Sequence, residues 1–64
     1  MIDPDYIPQA GDLLETETHW VRIHDVKDEV YYASGRIGRE GNLYRKPYRE
    51  FIDQARAKAE RLER

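Results

Sequence analysis

The sequence predicts an α+β fold: a small antiparallel sheet, or a partly open barrel, of three to five short strands with one C-terminal helix. Apolar and polar residues alternate through residues 20–33 on both sides of a short polar turn, which is typical of a β-hairpin. Beyond Pro47, apolar residues recur at helical spacing instead. The chain has 64 residues, enough for a single domain with a small core.

The first part of the chain is expected to be an extended lead-in over residues 1–10. Pro4 and Pro8 interrupt it, and Tyr6 and Ile7 are its candidates for contact with the core. A turn signal follows at residues 10–12, and the first strand is predicted over residues 13–17. Residues 11–46 are therefore predicted to be β-rich, and residues 47–64 to form the helix.

The central hairpin has a predicted register. A turn at residues 27–28 implies three cross-strand pairs: Asp25 with Val30, Ile23 with Tyr32, and Val21 with Ser34. Because side chains alternate between the faces of a strand, the four apolar members Val21, Ile23, Val30 and Tyr32 are expected to face the core. The opposite face is then expected to present Trp20, Arg22, His24, Glu29, Tyr31 and Ala33.

The second half of the chain predicts a weaker hairpin and then the helix. Ser34 and Gly35 are expected to end the strand, and a turn at residues 39–42 is expected to join residues 36–38 to residues 43–45. Pro47 suits the start of a helix. The helical stripe consists of Tyr48, Phe51, Ile52, Ala55, Ala59 and Leu62. Most apolar side chains of this stripe are small beyond Phe51 and Ile52, so the last turns of the helix are expected to project or fray.

Composition excludes several classes of protein. Charged residues make up 38% of the chain, and the mean hydropathy is −0.97, so a membrane span and a membrane partner are not expected. The acidic start of the chain does not resemble a secretory signal, and the default location is cytoplasmic. Without cysteine, a disulfide or thiolate metal site cannot form. Self-association into a homo-oligomer stays open as a source of stability.

Enzymatic chemistry is not expected, and neither a cofactor nor a metal site is predicted. Ser34 is the only serine and has no predicted base beside it. His19 and His24 are separated by an odd number of residues, so on one strand they face opposite ways. Glu15 and Glu17 share a face, but an exposed acidic strand face is commoner than a catalytic pair.

The outward face of the central hairpin is the first candidate site. Tryptophan, tyrosine and arginine dominate the energetics of protein interfaces, and a solvent-facing tryptophan lowers solubility. The residues predicted to bind a protein partner are Trp20, Arg22, His24 and Tyr31. The alternative is that the lead-in, the helix or closure of a barrel covers this face.

A basic and aromatic segment is the second candidate site. Basic side chains neutralise phosphates and aromatic rings stack on bases, so nucleic-acid binding is the alternative function. The residues predicted for it are Arg36, Arg39, Tyr44, Arg45, Lys46 and Arg49. Residues 1–35 carry a net charge of −6 and residues 36–64 carry +4. The plainer interpretation is therefore that the two halves attract each other within the fold.

The β-rich part of the sequence resembles small Src-homology-3-like or Tudor-like barrels. The pattern covers about residues 11–46: a turn at Gly11, the strands that contain Trp20 and Tyr31, and the glycine-bounded turns that follow them. The whole chain also looks like small accessory proteins of bacteriophages and mobile elements. These resemblances imply a non-enzymatic protein-binding module, of the phage type that binds, modulates or inhibits a host macromolecular complex.

Overall fold

The computed structural model describes residues 2–64, and Met1 of the predicted lead-in lies outside them. After a lead-in without regular structure, the elements are β1 (Leu13–Glu15), β2 (His19–Val26), β3 (Glu29–Arg36), β4 (Asn42–Pro47), the helix α1 (Tyr48–Lys58) and β5 (Arg61–Glu63). The five strands form one sheet in the order β4-β3-β2-β1-β5. Each neighbouring pair is antiparallel. The predicted α+β class is confirmed.

The helix covers one face of this sheet, called here the inner face. Phe51, Ile52 and Ala55 are the buried residues of α1, and the Phe51 ring lies 4.3 Å from the Tyr32 ring of β3. The core consists of Ile2, Tyr6, Leu14, Ile23, Val30, Tyr32, Phe51, Ala55 and Ala59, with Val21, Val26, Tyr48 and Leu62 packed against it. The opposite side of the sheet, the outer face, has no helix over it.

The register of the central hairpin is confirmed in part. Ile23 pairs with Tyr32, as predicted, but Asp25 pairs with Tyr31 instead of Val30, because the register shifts between Ile23 and Asp25. A bulge of this kind places two residues of one strand against one of its partner. The prediction that β3 ends at Ser34 is wrong, since β3 continues to Arg36 along β2.

The second hairpin exists, but its turn lies earlier than predicted. The Arg39 amide donates to the Arg36 carbonyl at 3.0 Å, and Gly38 has φ +83°. Glycine at the third position of a four-residue turn suits a type II turn, which requires a positive φ there. The predicted turn at residues 39–42 is therefore replaced by one over residues 36–39, and β4 already begins at Asn42.

The end of the chain departs most from the sequence prediction. The helix ends at Lys58, and Ala59 adopts an extended conformation. The Glu60 amide donates to the Glu15 carbonyl at 2.9 Å, and Leu62 then pairs with Leu14. Residues 47–64 therefore form a helix and a strand, and the expectation that the last turns project or fray is wrong.

A buried carboxylate links the lead-in to the rest of the fold. Asp12 is 2% exposed and accepts hydrogen bonds from the Tyr6 hydroxyl at 3.1 Å and from the Gln9 amide at 3.0 Å. The Arg64 guanidinium lies 3.6 Å from the other Asp12 oxygen. Tyr6 is buried as expected, whereas Ile7 is 60% exposed. Asp12 therefore ties the two ends of the described chain to the start of β1.

Candidate binding surfaces

The outer face carries a row of side chains that crosses four strands. Leu13 pairs with Arg22, Arg22 with Ala33, and Ala33 with Leu43. Leu43 is 68% exposed, and the Arg22 guanidinium is directed to the Gly11 carbonyl, to which it donates at 2.9 Å. The row therefore exposes apolar surface on a face that α1 does not cover.

Trp20 lies on the outer face, as the alternation of β2 predicts, but it is only partly exposed. Its indole N–H donates to the Arg39 carbonyl at 3.0 Å. A Cβ atom on Gly41 would lie 2.8 Å from the Trp20 ring, so the 36–41 loop packs closely against the indole. The indole is thus partly covered by this loop and not by the lead-in, the helix or a closed barrel.

A shallow hollow of about 510 Å³ lies beside Trp20 on the outer face. Its walls are formed by Leu13, Glu15, Trp20, Arg22, His24, Ala33, Ile37 and Gly38. Ile37, which occupies the second position of the 36–39 turn, is 54% exposed. Three of the four residues predicted to bind a partner, Trp20, Arg22 and His24, therefore lie around one hollow.

Tyr31, the fourth predicted residue, belongs to a neighbouring cluster on the same face. Arg45 donates to the Tyr31 hydroxyl at 2.9 Å and lies 2.5 Å from a Glu29 carboxylate oxygen. The hydrogen bond with Tyr31, followed by the charge of Glu29, raises the pKa of Arg45. This cluster gives the outer face a polar border at the β3–β4 edge.

The basic segment predicted to bind nucleic acid does not form one surface. Arg45 lies on the outer face, whereas Tyr44 lies on the inner face, where its ring stacks on Tyr32 at 5.5 Å. Lys46, also on the inner face, lies 3.7 Å from Glu50. Arg49 follows on the exposed side of α1. Two of the predicted cations are therefore already paired within the fold.

Arg36, Arg39 and Tyr44 are nevertheless brought together, in what is called here the arginine pocket. It has a volume of about 270 Å³ and is lined by His19, Ser34, Gly35, Arg36, Arg39, Glu40, Gly41, Asn42 and Tyr44. Within residues 2–64, neither the Arg36 nor the Arg39 guanidinium has an ion-pair or hydrogen-bond partner. Against the single carboxylate of Glu40, these two cations leave the pocket positively charged.

A larger opening, the helix–sheet cleft, adjoins this pocket on the inner face. Its volume is about 540 Å³. The apolar residues that line it are Leu14, Val21, Tyr32, Phe51, Ala55 and Ala59, and the polar ones are Thr16, Glu17, Thr18, His19, Ser34, Gln54, Lys58 and Glu60. His19 and Ser34 line both openings. The sequence prediction missed this cleft, although the small residues late in the helical stripe were its signal.

The described residues contain no cluster of three or more histidine, aspartate or glutamate side chains that could hold a metal ion. Across residues 2–64, the helix is too short and too polar to cross a membrane. His19 Nδ1 lies 2.6 Å from the neighbouring Thr18 hydroxyl, and His24 lies on the outer face. The two histidines do not share a site.

Compared with protein-family models, with curated proteins and with solved structures, the chain matches none. The resemblance to Src-homology-3-like or Tudor-like barrels therefore stays a prediction.

Proposed function

We propose that this protein is a non-enzymatic protein-binding module whose partner docks on the outer face. The observation that carries the proposal is the exposure of Leu43 and Ile37 on the same face as Trp20. Large apolar side chains grouped on one face are typical of interaction sites, whereas single exposed ones are ordinary.

The composition of the outer face supports a protein partner over a small molecule. Its apolar side chains are Leu13, Ala33 and Leu43, with Arg22 between Leu13 and Ala33, and a tryptophan lies at one side. Charged pairs lie towards both edges: Arg45 with Glu29, and Arg61 with Glu15. A mixture of apolar side chains, a tryptophan and arginines, bordered by charged groups, is typical of protein–protein interfaces.

Affinity capture with matched variants tests the proposal. The wild-type protein is immobilised and exposed to lysate with and without nuclease treatment, beside Ile37→Asp and Leu43→Asp. Both side chains are exposed, so these changes should leave the fold intact and remove binding by placing a charge among the exposed apolar side chains. Ile7→Asp is the control, because Ile7 is similarly exposed but lies in the lead-in.

The expected result is a discrete protein retained by the wild type and by Ile7→Asp and lost from both outer-face variants. Retention that is equal across all four proteins would contradict docking on this face. Retention that disappears after nuclease treatment would favour nucleic acid instead.

Nucleic-acid binding is the second candidate, and one observation favours it: among the described residues the Arg36 and Arg39 guanidinium groups have no ion-pair partner, and both residues share a pocket with the half-exposed Tyr44 ring. The pairing of Arg45 and Lys46 weighs against it. If this candidate is correct, single-stranded DNA should bind at low salt, and Arg36→Glu should abolish the mobility shift. No shift with either single strands or duplex at low salt would dismiss it.

The narrower predictions belong to the same proposal. A module of this kind, working in the cytoplasm as a phage-type modulator or inhibitor of a host complex, would need only one such face. Identification of the protein retained in the capture experiment tests that narrower prediction. The prediction requires that the retained protein be a subunit of a larger host assembly.

A further inference from the structure

The inner face carries a second opening that the docking face does not use. The helix–sheet cleft and the arginine pocket meet at His19 and Ser34. We propose that together they form a binding site for an extended peptide segment that carries an apolar side chain next to an acidic one. This site lies on the opposite side of the sheet from the outer face, so it does not depend on the function proposed above.

The cleft supplies the apolar half of the site. Phe51 fills the space between α1 and β3, but the next residues of the chain that line the cleft on the helix side with apolar side chains, Ala55 and Ala59, are small. The space that they leave is bounded on the sheet side by Leu14 and by the partly buried Val21. An aliphatic or aromatic side chain entering there would cover the partly exposed Val21 and gain van der Waals contact with the buried Ala55 and Ala59.

The arginine pocket supplies the charged half. Arg36 flanks the 36–39 turn on one side and Arg39 on the other, and the Arg39 amide bonds to the Arg36 carbonyl, which holds the two residues together. A second backbone bond at 2.9 Å, from the Ile37 amide to the Thr18 carbonyl, fixes the turn against the β1–β2 loop. Guanidinium groups bind carboxylates through paired hydrogen bonds, so an acidic side chain complements the net positive charge of this pocket.

Both a peptide and a nucleic acid could place an anion on these arginines, and the cleft favours the peptide. Beyond His19 and Ser34, where the two openings meet, the cleft holds the aliphatic side chains Leu14 and Val21, and Tyr44 is the exposed aromatic ring of the arginine pocket. Glu17 at the cleft rim would repel a phosphate backbone that continued past His19. A peptide that places its carboxylate on the arginines and its apolar side chain in the cleft brings no negative charge next to Glu17.

A displayed library of random twelve-residue peptides provides the probe. We expect selection on the wild-type protein to enrich sequences in which aspartate or glutamate lies within about two residues of a large apolar residue. The best sequence is then synthesised with a fluorescent label, and its Kd is measured by anisotropy. Amide chemical shifts of the labelled protein should change at residues of the cleft, such as Val21 and Ser34, and not at Leu43.

Charge-matched variants test the role of the pocket. Arg36→Glu with Arg39→Glu should weaken peptide binding at least about tenfold, because like charges then meet. Lys27→Glu with Arg49→Glu changes the net charge equally at exposed positions outside both openings and should leave the Kd within about twofold. Thermal melts establish that both double variants remain folded.

Four outcomes would overturn the proposal. These are failure to enrich any peptide, enrichment of peptides without acidic residues, equal weakening by the two double variants, and chemical-shift changes confined to the outer face. A single-stranded oligothymidine that binds more tightly than the peptide and loses binding on Arg36→Glu would reassign the site to nucleic acid. The capture experiment with Ile37→Asp tests only docking on the outer face. Its result, whether the partner is lost or retained, does not change the conclusion about the inner-face site.

Discussion

The most heavily constrained side chain of the lead-in is Tyr6. Its hydroxyl donates to the buried Asp12 carboxylate, and the Arg64 guanidinium lies 5.8 Å from its ring centre. Burial is the main reason that the pKa of Tyr6 is raised, and the negative charge of Asp12 adds to it. Burial also raises the pKa of Tyr32 in the core.

These two shifts predict a loss of stability at alkaline pH. Above about pH 10 an unfolded tyrosine releases its proton, whereas folded Tyr6 retains it, so the unfolded state binds fewer protons. The free energy of unfolding must then fall as the pH rises further. Urea melts between pH 8 and pH 11 should show this decline, and Tyr6→Phe should reduce its slope.

Tyr6→Phe should also destabilise the protein at neutral pH. Removing the hydroxyl leaves Asp12 with one fewer donor, which should lower the free energy of unfolding by about 1–3 kcal/mol. A Tyr6→Phe protein with the alkaline slope of the wild type would mean that Tyr6 titrates alike in the folded and unfolded states.

At the level of elements, α1 is held chiefly by its first half. Phe51 is buried against Tyr32 and Ile52 beside it is also buried, whereas the buried residues later in the chain, Ala55 and Ala59, are small. Phe51→Ala should lower the free energy of unfolding by roughly 3–5 kcal/mol, which is comparable to the whole stability of so small a domain. A cooperative thermal melt close to that of the wild type would refute this role; Arg49→Ala, on the exposed side of the same helix, is the control.

The strand β5 gives a second prediction at this scale. Deleting residues 61–64 removes the Leu62 side chain from the core, the Arg61–Glu15 pair and the contact of Arg64 with Asp12. We expect the free energy of unfolding to fall by about 2 kcal/mol or more. A frayed helix end would lose almost nothing on the same deletion, so urea melts separate the two descriptions. Glu63→Ala, at an exposed position, should be nearly neutral.

The elements that could be predicted are those fixed by neighbouring residues. The β2–β3 hairpin follows from alternation around a two-residue turn, and that alternation also places Trp20 on the outer face. In contrast, the residues of β5 continue the spacing of α1, and only contact with Leu14, far back in the chain, turns them into a strand. Long-range contacts of this kind leave no local pattern.

The same distinction explains the candidate sites. In the structure Ser34 pairs with Asn42, and Leu43 therefore lies beside Ala33 on the outer face. The sequence prediction, with its turn at residues 39–42, does not bring Leu43 and Ala33 together. Side chains alternate along β4, so Arg45 and Lys46 lie on opposite faces of the sheet. A sequence prediction separates these two residues only if it treats residues 42–47 as one strand. The small residues Ala55 and Ala59 of the helix–sheet cleft are visible in the sequence, but their position across from Leu14 and Val21 is a long-range contact that leaves no local pattern.

For the whole molecule, ion pairs join the two oppositely charged halves of the chain within the fold. Arg45, Arg61 and Arg64 of the second half each meet an acid of the first half: Glu29, Glu15 and Asp12. Arg61 and Arg45 remain largely exposed, at 75% and 58%, so water screens both pairs and each should contribute little to the free energy of unfolding.

Salt should therefore change the stability of the molecule only slightly. In 1 M sodium chloride the screening length falls to about 3 Å, and the free energy of unfolding should change by no more than about 1–2 kcal/mol. Urea melts with and without salt measure the difference. A much larger loss would show that attraction between the halves, and not the core, stabilises the fold.

The position of β1 between β2 and β5 has a consequence for synthesis of the chain. One edge of β1 can pair as soon as β2 has been made, but the other edge stays open until residues 61–63 have left the ribosome. The Arg64 guanidinium, which donates to the Ile7 carbonyl at 3.2 Å, then secures the lead-in. Folding of this domain should accordingly complete only after these residues emerge, and nascent chains halted before residue 61 should be sensitive to protease.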